Sequence, residues 1–347
     1  MTSKNDQIQL SRFREFQFNL KRGKGHLFHY WRNRFVYWSL FPKWNILPAF
    51  PDHVDIELST VCNMKCPMCY TLTDDYLMNV KQQLMSYELF QKIINECSGH
   101  RIFSIRLSLR GEPFLHPDII KIARYAKESN IKEVSSLTNM LSLTPDMFEE
   151  LVKMRFDWLT ISFDGLGETY EEIRKPAKFD EAYRKIKEFK KIKDRYKSVK
   201  PVIKVQTIWP AIEDDPEAFY NAMEPYADLV VSNPLSENFG NVKYEYVDTL
   251  MCPVLYQRIV VTPSGEVILC ANDDYSKVIV GDVNKSSLQD IWLGDKMNEI
   301  RKIHKNFGGY KNIDCCRECY TARKTRQHEE NISGKKVKII EFAGKAI

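Results

Sequence analysis

The chain reads as an α/β protein: a parallel sheet, open or curved into a partial barrel, followed by a small cysteine-rich α+β unit. Two patterns and one count predict this. Short β-rich runs alternate six times with amphipathic helical stretches between residue 53 and about 234, as in a parallel sheet with helices outside it. Near residue 241 that rhythm gives way to a hairpin signal at Pro263-Ser264-Gly265. The nine cysteines gather chiefly in two groups, an arrangement that suits metal or cluster ligation better than disulfides.

The predicted strands are His53–Leu58, Ser104–Leu109, Lys132–Thr138, Trp158–Phe163, Val202–Ile208 and Asp228–Ser232. Thr144-Pro145-Asp146 is a helix start, with a capping hydroxyl followed by proline in the first turn. Tyr183, Ile186, Phe189, Ile192 and Tyr196 recur every three or four residues among lysines, one buried stripe on a solvated helix. Later, Arg258–Thr262 and Glu266–Cys270 flank the hairpin turn, Lys277–Val283 is a further strand, and Ser287–Trp292 and Lys296–Lys305 are helical. The predicted organisation is a basic aromatic extension (1–49), a barrel (50–240), a cysteine-rich unit (241–326) and a basic tail (327–347) with no assigned structure.

Composition narrows the function. No apolar run reaches membrane-spanning length, and the first residues lack a signal peptide's apolar core, so an intracellular, cytoplasmic protein is expected. Net charge is +5. Residues 1–50 carry nine Lys and Arg against Asp6 and Glu15, which leaves the rest slightly acidic. Nucleic acid is therefore not an expected partner. Residues 8–50 interleave aromatics such as Phe28, Trp31 and Trp38 with arginines and lysines. Packing against the barrel, with the aromatics buried and the cations solvated, is the favoured reading, and peripheral membrane contact the other.

Cys62, Cys66 and Cys69 follow the first strand within eight residues. Three thiolates can hold three irons of a cubane and leave the fourth open, whereas zinc needs a fourth ligand that no neighbouring residue supplies. This C-x3-C-x2-C segment, followed by the aromatic Tyr70, resembles the signature of the radical S-adenosylmethionine (SAM) superfamily. Further elements resemble that family in order. Arg110-Gly111-Glu112-Pro113 is similar to its G-G-E-P element, with Arg110 replacing a glycine. Thr138-Asn139 is similar to its T-N-G turn, with Met140 replacing glycine, and Ser162-Phe163-Asp164-Gly165 to its S-x-D-G element. Each lies at the carboxyl end of a predicted strand, where α/β folds place their chemistry.

The resemblance implies a partial (β/α)6 TIM-like barrel in which a [4Fe–4S] cluster on the three cysteines binds SAM. Glu112 would take the methionine ammonium, with Gly111 and Pro113 shaping its loop. Tyr70, Asn139, Ser162, Asp164 and Gln206 would line the rest of the cofactor site. An external one-electron donor of flavodoxin or ferredoxin type would reduce the cluster. Cleavage of SAM would then give a 5′-deoxyadenosyl radical that abstracts hydrogen from the substrate.

Cys252, Cys270, Cys316 and Cys319 form C-x17-C-x45-C-x2-C, a set that suits a fully ligated [4Fe–4S] cluster or a structural zinc. With the hairpin, it resembles the SPASM or twitch module of radical SAM enzymes in its four-cysteine version, which implies one auxiliary cluster. Cys315 adjoins the set, and the C-x2-C spacing favours Cys316. Cys97, alone in a helical stretch, reads as a core thiol. The single auxiliary cluster resembles enzymes that oxidise or epimerise an alcohol carbon of a sugar-like or aminocyclitol small molecule. Asn233, Ser236 and Asn238 are polar candidates to face that substrate. The alternatives are modification of a ribosomally made peptide, for which no peptide-recognition domain is evident, and a non-catalytic zinc or iron–sulfur binding protein. No hydrogen donor or base is identifiable from the sequence.

Overall fold

The computed structural model describes residues 8–9, 12–37, 44, 46–235, 242–332 and 334–346. After the short β1 (Ile8–Gln9), which pairs antiparallel with the last of them, six strands, β2 (His53–Ile56), β3 (Ser104–Arg106), β4 (Glu133–Thr138), β5 (Trp158–Ser162), β6 (Val202–Ile208) and β7 (Leu229–Asn233), pair in parallel in chain order. Helices follow between them, so the β/α alternation of the sequence is the architecture of the partial barrel. Thr144 caps the helix Pro145–Lys153 by accepting from the Met147 amide at 3.2 Å.

Side chains alternate across each strand. Val54, Ile56, Ile105, Val134, Leu159, Ile161, Ile203, Val205 and Val230 enter the main core beneath the helices, each burial stabilising by about 1.5–3 kcal/mol. The opposite face carries Asp55, Glu57, Arg106, Glu133, Ser135, Thr160 and Lys204. Strands of a fully covered parallel sheet are normally apolar on both sides, so this polar inner face belongs to a chemical interior.

The sheet continues past β2. Strand β9 (Arg258–Val261) docks parallel on β2, and β10 (Glu266–Ile268) and β11 (Ile279–Asp282) follow antiparallel. The hairpin thus extends the barrel sheet and carries the second cysteine group to the barrel's side. At its turn Gly265 adopts φ +91°, a conformation side chains disfavour.

Two expectations need correction, and one segment left unassigned takes on structure. Tyr196 does not complete the stripe of helix Phe179–Arg195: Ile186, Phe189 and Ile192 are buried, whereas Tyr196 lies past the helix end, 42% exposed. The tail has structure: β12 (Thr325–Ile332) and β13 (Lys335–Phe342) form a hairpin, and β14 (Gly344–Ala346) pairs with β8 (Val242–Tyr244). Its mixed polar sequence hid this because β12 is exposed along nearly its whole length.

The extension is also not simply aromatic inside and cationic outside. From α1 (Arg12–Arg22), Phe18 packs on Val202, Leu229 and Val231, edge-on to Trp158. Arg22 is buried and donates to both Glu133 oxygens, at 3.1 and 2.6 Å. From α2 (Leu27–Phe35), Tyr30 is fully buried. Yet Phe13, Phe16, Phe28, Trp31, Phe35 and Trp44 are exposed. Trp38 and Phe41 lie outside the described residues. Among the described residues, no helix is long and apolar enough to cross a membrane.

Candidate active site

The three clustered thiols lie on the loop that leaves β2, Cys66 buried and Cys62 and Cys69 half-buried. The Cys69 amide donates to the Cys66 carbonyl at 2.9 Å and turns the loop back on itself. Asn139 Nδ2 lies 3.7 Å from Cys62 Sγ, and Arg174 Nη1 lies 3.7 Å from Cys66 Sγ. Burial pushes the Cys66 thiol up to about 11; Arg174 opposes the shift, and Cys69 and Cys62 add to it. The three sulfurs therefore share one field.

Glu112 sits beside this loop, 2% exposed. It accepts from the Thr138 hydroxyl (2.7 Å), the Asn139 amide (2.7 Å) and the Phe114 amide (3.0 Å). Burial outweighs these donors and pushes its carboxyl up to about 7. No lysine or arginine forms an ion pair with it among the described residues. A buried carboxylate with oriented donors and no counter-cation suits an ammonium ligand, as a SAM site beside three thiols requires. Gly111 is obligatory here, because a Cβ would lie 2.5 Å from both the Ser59 and Val61 carbonyl oxygens. Pro113 opens the short turn that follows Glu112. Met140 adopts φ +68° where the resembling motif has glycine, so the turn keeps its shape despite the replacement.

Ser162, the last residue of β5, is the register partner of Gln206, two residues before the end of β6. Asp164 accepts from the Ile208 amide at 2.9 Å and pairs with Arg174 at 2.6 Å, off the hydrogen-bond axis. It thereby positions the arginine that reaches Cys66. Tyr70 lies edge-on to Tyr76 and Tyr275, and burial, then Asp274, pushes its hydroxyl up.

Sequence reasoning missed Arg174, which lies in a helix-end segment with no motif, and the partner of Arg110. That partner is Glu57, fully buried, bound through two guanidinium nitrogens, one at 2.7 Å. Arg110 also donates to Ser276 Oγ at 2.7 Å, which ties the Glu112 loop to the cysteine-rich unit.

In that unit burial, and then the charges of Cys270 and Cys319, push the Cys252 thiol up, with Cys316 a smaller contributor, so these thiols occupy one electrostatic neighbourhood. Asn272 organises them: its amide approaches Cys270 Sγ and its side chain Cys319 Sγ, each at 3.4 Å. Cys315 lies 3.9 Å from Cys316, sulfur to sulfur, and is less buried; its hydrogen bond and then His304 make Cys316 the more acidic of the two. Cys97 is fully buried in the core. A cavity of about 530 Å3 runs from the inner strand faces to Cys270 and Asn272, and Asn233 lines it. Ser236 and Asn238 lie outside the described residues.

The radical SAM superfamily model matches residues 56–213, and a SPASM model, an iron–sulfur cluster-binding domain, matches residues 252–320. The chain belongs to the radical SAM superfamily. Its cofactors are accordingly SAM, a [4Fe–4S] cluster and auxiliary iron–sulfur chemistry in the C-terminal SPASM domain. This radical SAM chain is 31% identical over 94 residues to the S-adenosyl-L-methionine-dependent 2-deoxy-scyllo-inosamine dehydrogenase of Niallia circulans, covering 27% of this chain and 37% of that one. It is 27% identical over 141 residues to the tungsten-containing aldehyde ferredoxin oxidoreductase cofactor-modifying protein of Pyrococcus furiosus, covering 36% and 38%. The matches thus span under two fifths of these relatives' length. The fold is similar to that of BtrN in complex with AdoMet and 2-DOIA (TM-score 0.55, 18% identity, 79% of this chain and 94% of that one). It is also similar to that of Streptococcus suis SuiB bound to S-adenosylmethionine (TM-score 0.56, 14% identity, 84% and 79%).

Proposed function

We propose that this radical SAM enzyme is an oxidoreductase, of dehydrogenase or epimerase type, acting on an alcohol carbon of a sugar-like small molecule. The observation that carries this reading is the cavity joining the polar inner face of the barrel to Cys270 and Asn272. A molecule held there lies against the loop of the second thiol set, where an electron can leave it. The name of the Niallia circulans relative, an aminocyclitol dehydrogenase, supports the same class.

In this reading Cys62, Cys66 and Cys69 hold the first cluster, and Cys252, Cys270, Cys316 and Cys319 hold a single auxiliary one. When bound, these groups supply a radical that takes hydrogen from an unactivated C–H bond and an acceptor for the second electron of an oxidation. Glu112 receives the SAM ammonium, held in place by Thr138 and the Asn139 and Phe114 amides. Asn139 and Arg174 donate toward Cys62 and Cys66 and stabilise their thiolates. Ser162, Gln206 and Tyr70 line the remainder of the cofactor site, and the barrel walls exclude water from it.

An external donor of flavodoxin or ferredoxin type delivers the electron. The exposed Phe28, Trp31 and Phe35 recur three and four residues apart on α2, a helix face suited to a membrane interface; co-sedimentation with anionic vesicles tests that contact.

The test of the activity is anaerobic reconstitution, then incubation with SAM, dithionite and sugar alcohols in D2O. A dehydrogenase yields 5′-deoxyadenosine with a ketone, an epimerase 5′-deoxyadenosine with solvent deuterium at the inverted carbon. Turnover that depends on a leader peptide overturns the reading.

A further inference from the structure

Among the described residues that line the cavity, the cations Arg22, Arg34, Arg106, Lys204 and Arg258 outnumber the carboxylates Glu15 and Glu133. Among the cations lining the cavity, Arg22 is taken up by Glu133. Asp55, just behind the wall, is shared by Arg106 at 2.8 Å and Arg258 at 3.5 Å, with His53 at 3.0 Å. Arg34 lines the same space.

Lys204 is the exception. It stands on β6, lines the cavity and is 8% exposed. Its charged neighbours, Arg22 and Arg106, are themselves cations. Its ammonium lies 5.4 Å from the centre of the Trp158 ring. Among the described residues, no carboxylate or hydrogen-bond acceptor reaches that ammonium. Lysine is almost never buried without a partner, because a desolvated charge is expensive. Burial, then Arg22 and Arg106, accordingly pushes Lys204 down to about 7. A residue chosen for packing would be apolar; a lysine here awaits a charge that none of the described residues supplies.

We propose that the barrel cavity binds the anionic group of a small-molecule substrate, a phosphate or a carboxylate, with Lys204 as the central contact and Arg106 and Arg34 flanking it. This rests on the reading that the cavity is the substrate site, and it narrows the class. An aminocyclitol ammonium would meet like charge on the wall. A sugar phosphate, nucleotide sugar or uronic acid brings the missing counter-charge, and about 530 Å3 lies within the range of small-molecule sites.

Calorimetry on the reconstituted holoenzyme, without SAM or reductant, tests this with glucose 1-phosphate, UDP-glucose and glucuronate as anionic probes. Glucose is the neutral control and glucosamine the cationic one. At least one anionic probe is expected to bind at least about tenfold more tightly than either control. Lys204→Met and Lys204→Gln should weaken it about tenfold or more, and Lys204→Arg should retain most of it. The phosphate and carboxylate probes separate the two sources of charge. On the unsubstituted protein, the favoured probe should slow acetylation of Lys204 by acetic anhydride at least about tenfold relative to exposed lysines. The proposal is overturned if no anionic probe binds, if Lys204→Met binds it equally well, or if glucosamine binds as tightly. Anion binding without turnover would count against the oxidoreductase reading alone; turnover of a cationic sugar indifferent to Lys204 would count against the anion site alone.

Discussion

Arg110 stands where the resembling motif has glycine, and Arg110→Gly restores that motif at a calculable cost. Its guanidinium binds both oxygens of Glu57, and the side chains are 1% and 0% exposed. The substitution leaves Glu57 buried with the residue 110 amide, at 3.3 Å, as its remaining donor. Removing one partner of a buried pair costs about 3–5 kcal/mol. At about 2 °C per kcal/mol for a long chain, the holoenzyme should melt roughly 6–10 °C lower in an anaerobic thermal scan. Burial already pushes Glu57 up despite Arg110. Its carboxyl rises further in the variant, so the deficit should shrink as pH falls and Glu57 takes a proton. Because Arg110 also holds Ser276, amide exchange in residues 271–278 should quicken. In the double variant Glu57→Leu/Arg110→Gly both charges leave together, so most of the stability should return and the double loss should fall short of the sum of the two single losses by about 3 kcal/mol or more. If the single losses add to within about 0.5 kcal/mol, the pair does not hold the two units together.

Glu112→Gln should weaken SAM binding about tenfold or more, the scale of one charge-assisted hydrogen bond, with iron content unchanged; equal dissociation constants by equilibrium dialysis would remove Glu112 from the cofactor site. Cys316→Ala should lose about four irons per chain, one cluster's worth, while Cys315→Ala keeps them; the reverse pattern in an iron assay would reassign the ligand. Lys204, about 7 when folded, sits below its unfolded value of about 10.4, so the unfolded state binds the extra proton and wild-type stability rises with pH between those values. Lys204→Met abolishes this, so its stability advantage should be largest below pH 7 and fade toward pH 9–10; a pH-independent difference in denaturation midpoints would refute the burial argument.

The sequence alone determined the periodic features. Alternation of Val and Ile on one side of each strand, the helix stripes and the Thr144 cap are local, so the six β–α units could be read directly. The chemistry of the first site was legible for a similar reason. Cys62, Cys66 and Cys69 sit on one loop, and Glu112, Asn139 and Asp164 each follow a strand whose end the pattern locates. Only the tertiary structure decided what those residues do to one another. Asp164 reads as a cofactor contact in sequence, but it holds Arg174 beside Cys66. Arg110 reads as a lapse from a motif until Glu57, 53 residues earlier, is brought beneath it. Lys204 reads as one more strand lysine until the barrel closes around it with no carboxylate among the described residues in reach. Periodicity reports which face a residue takes, whereas desolvation and charge depend on neighbours distant in the chain, and folding alone assembles those.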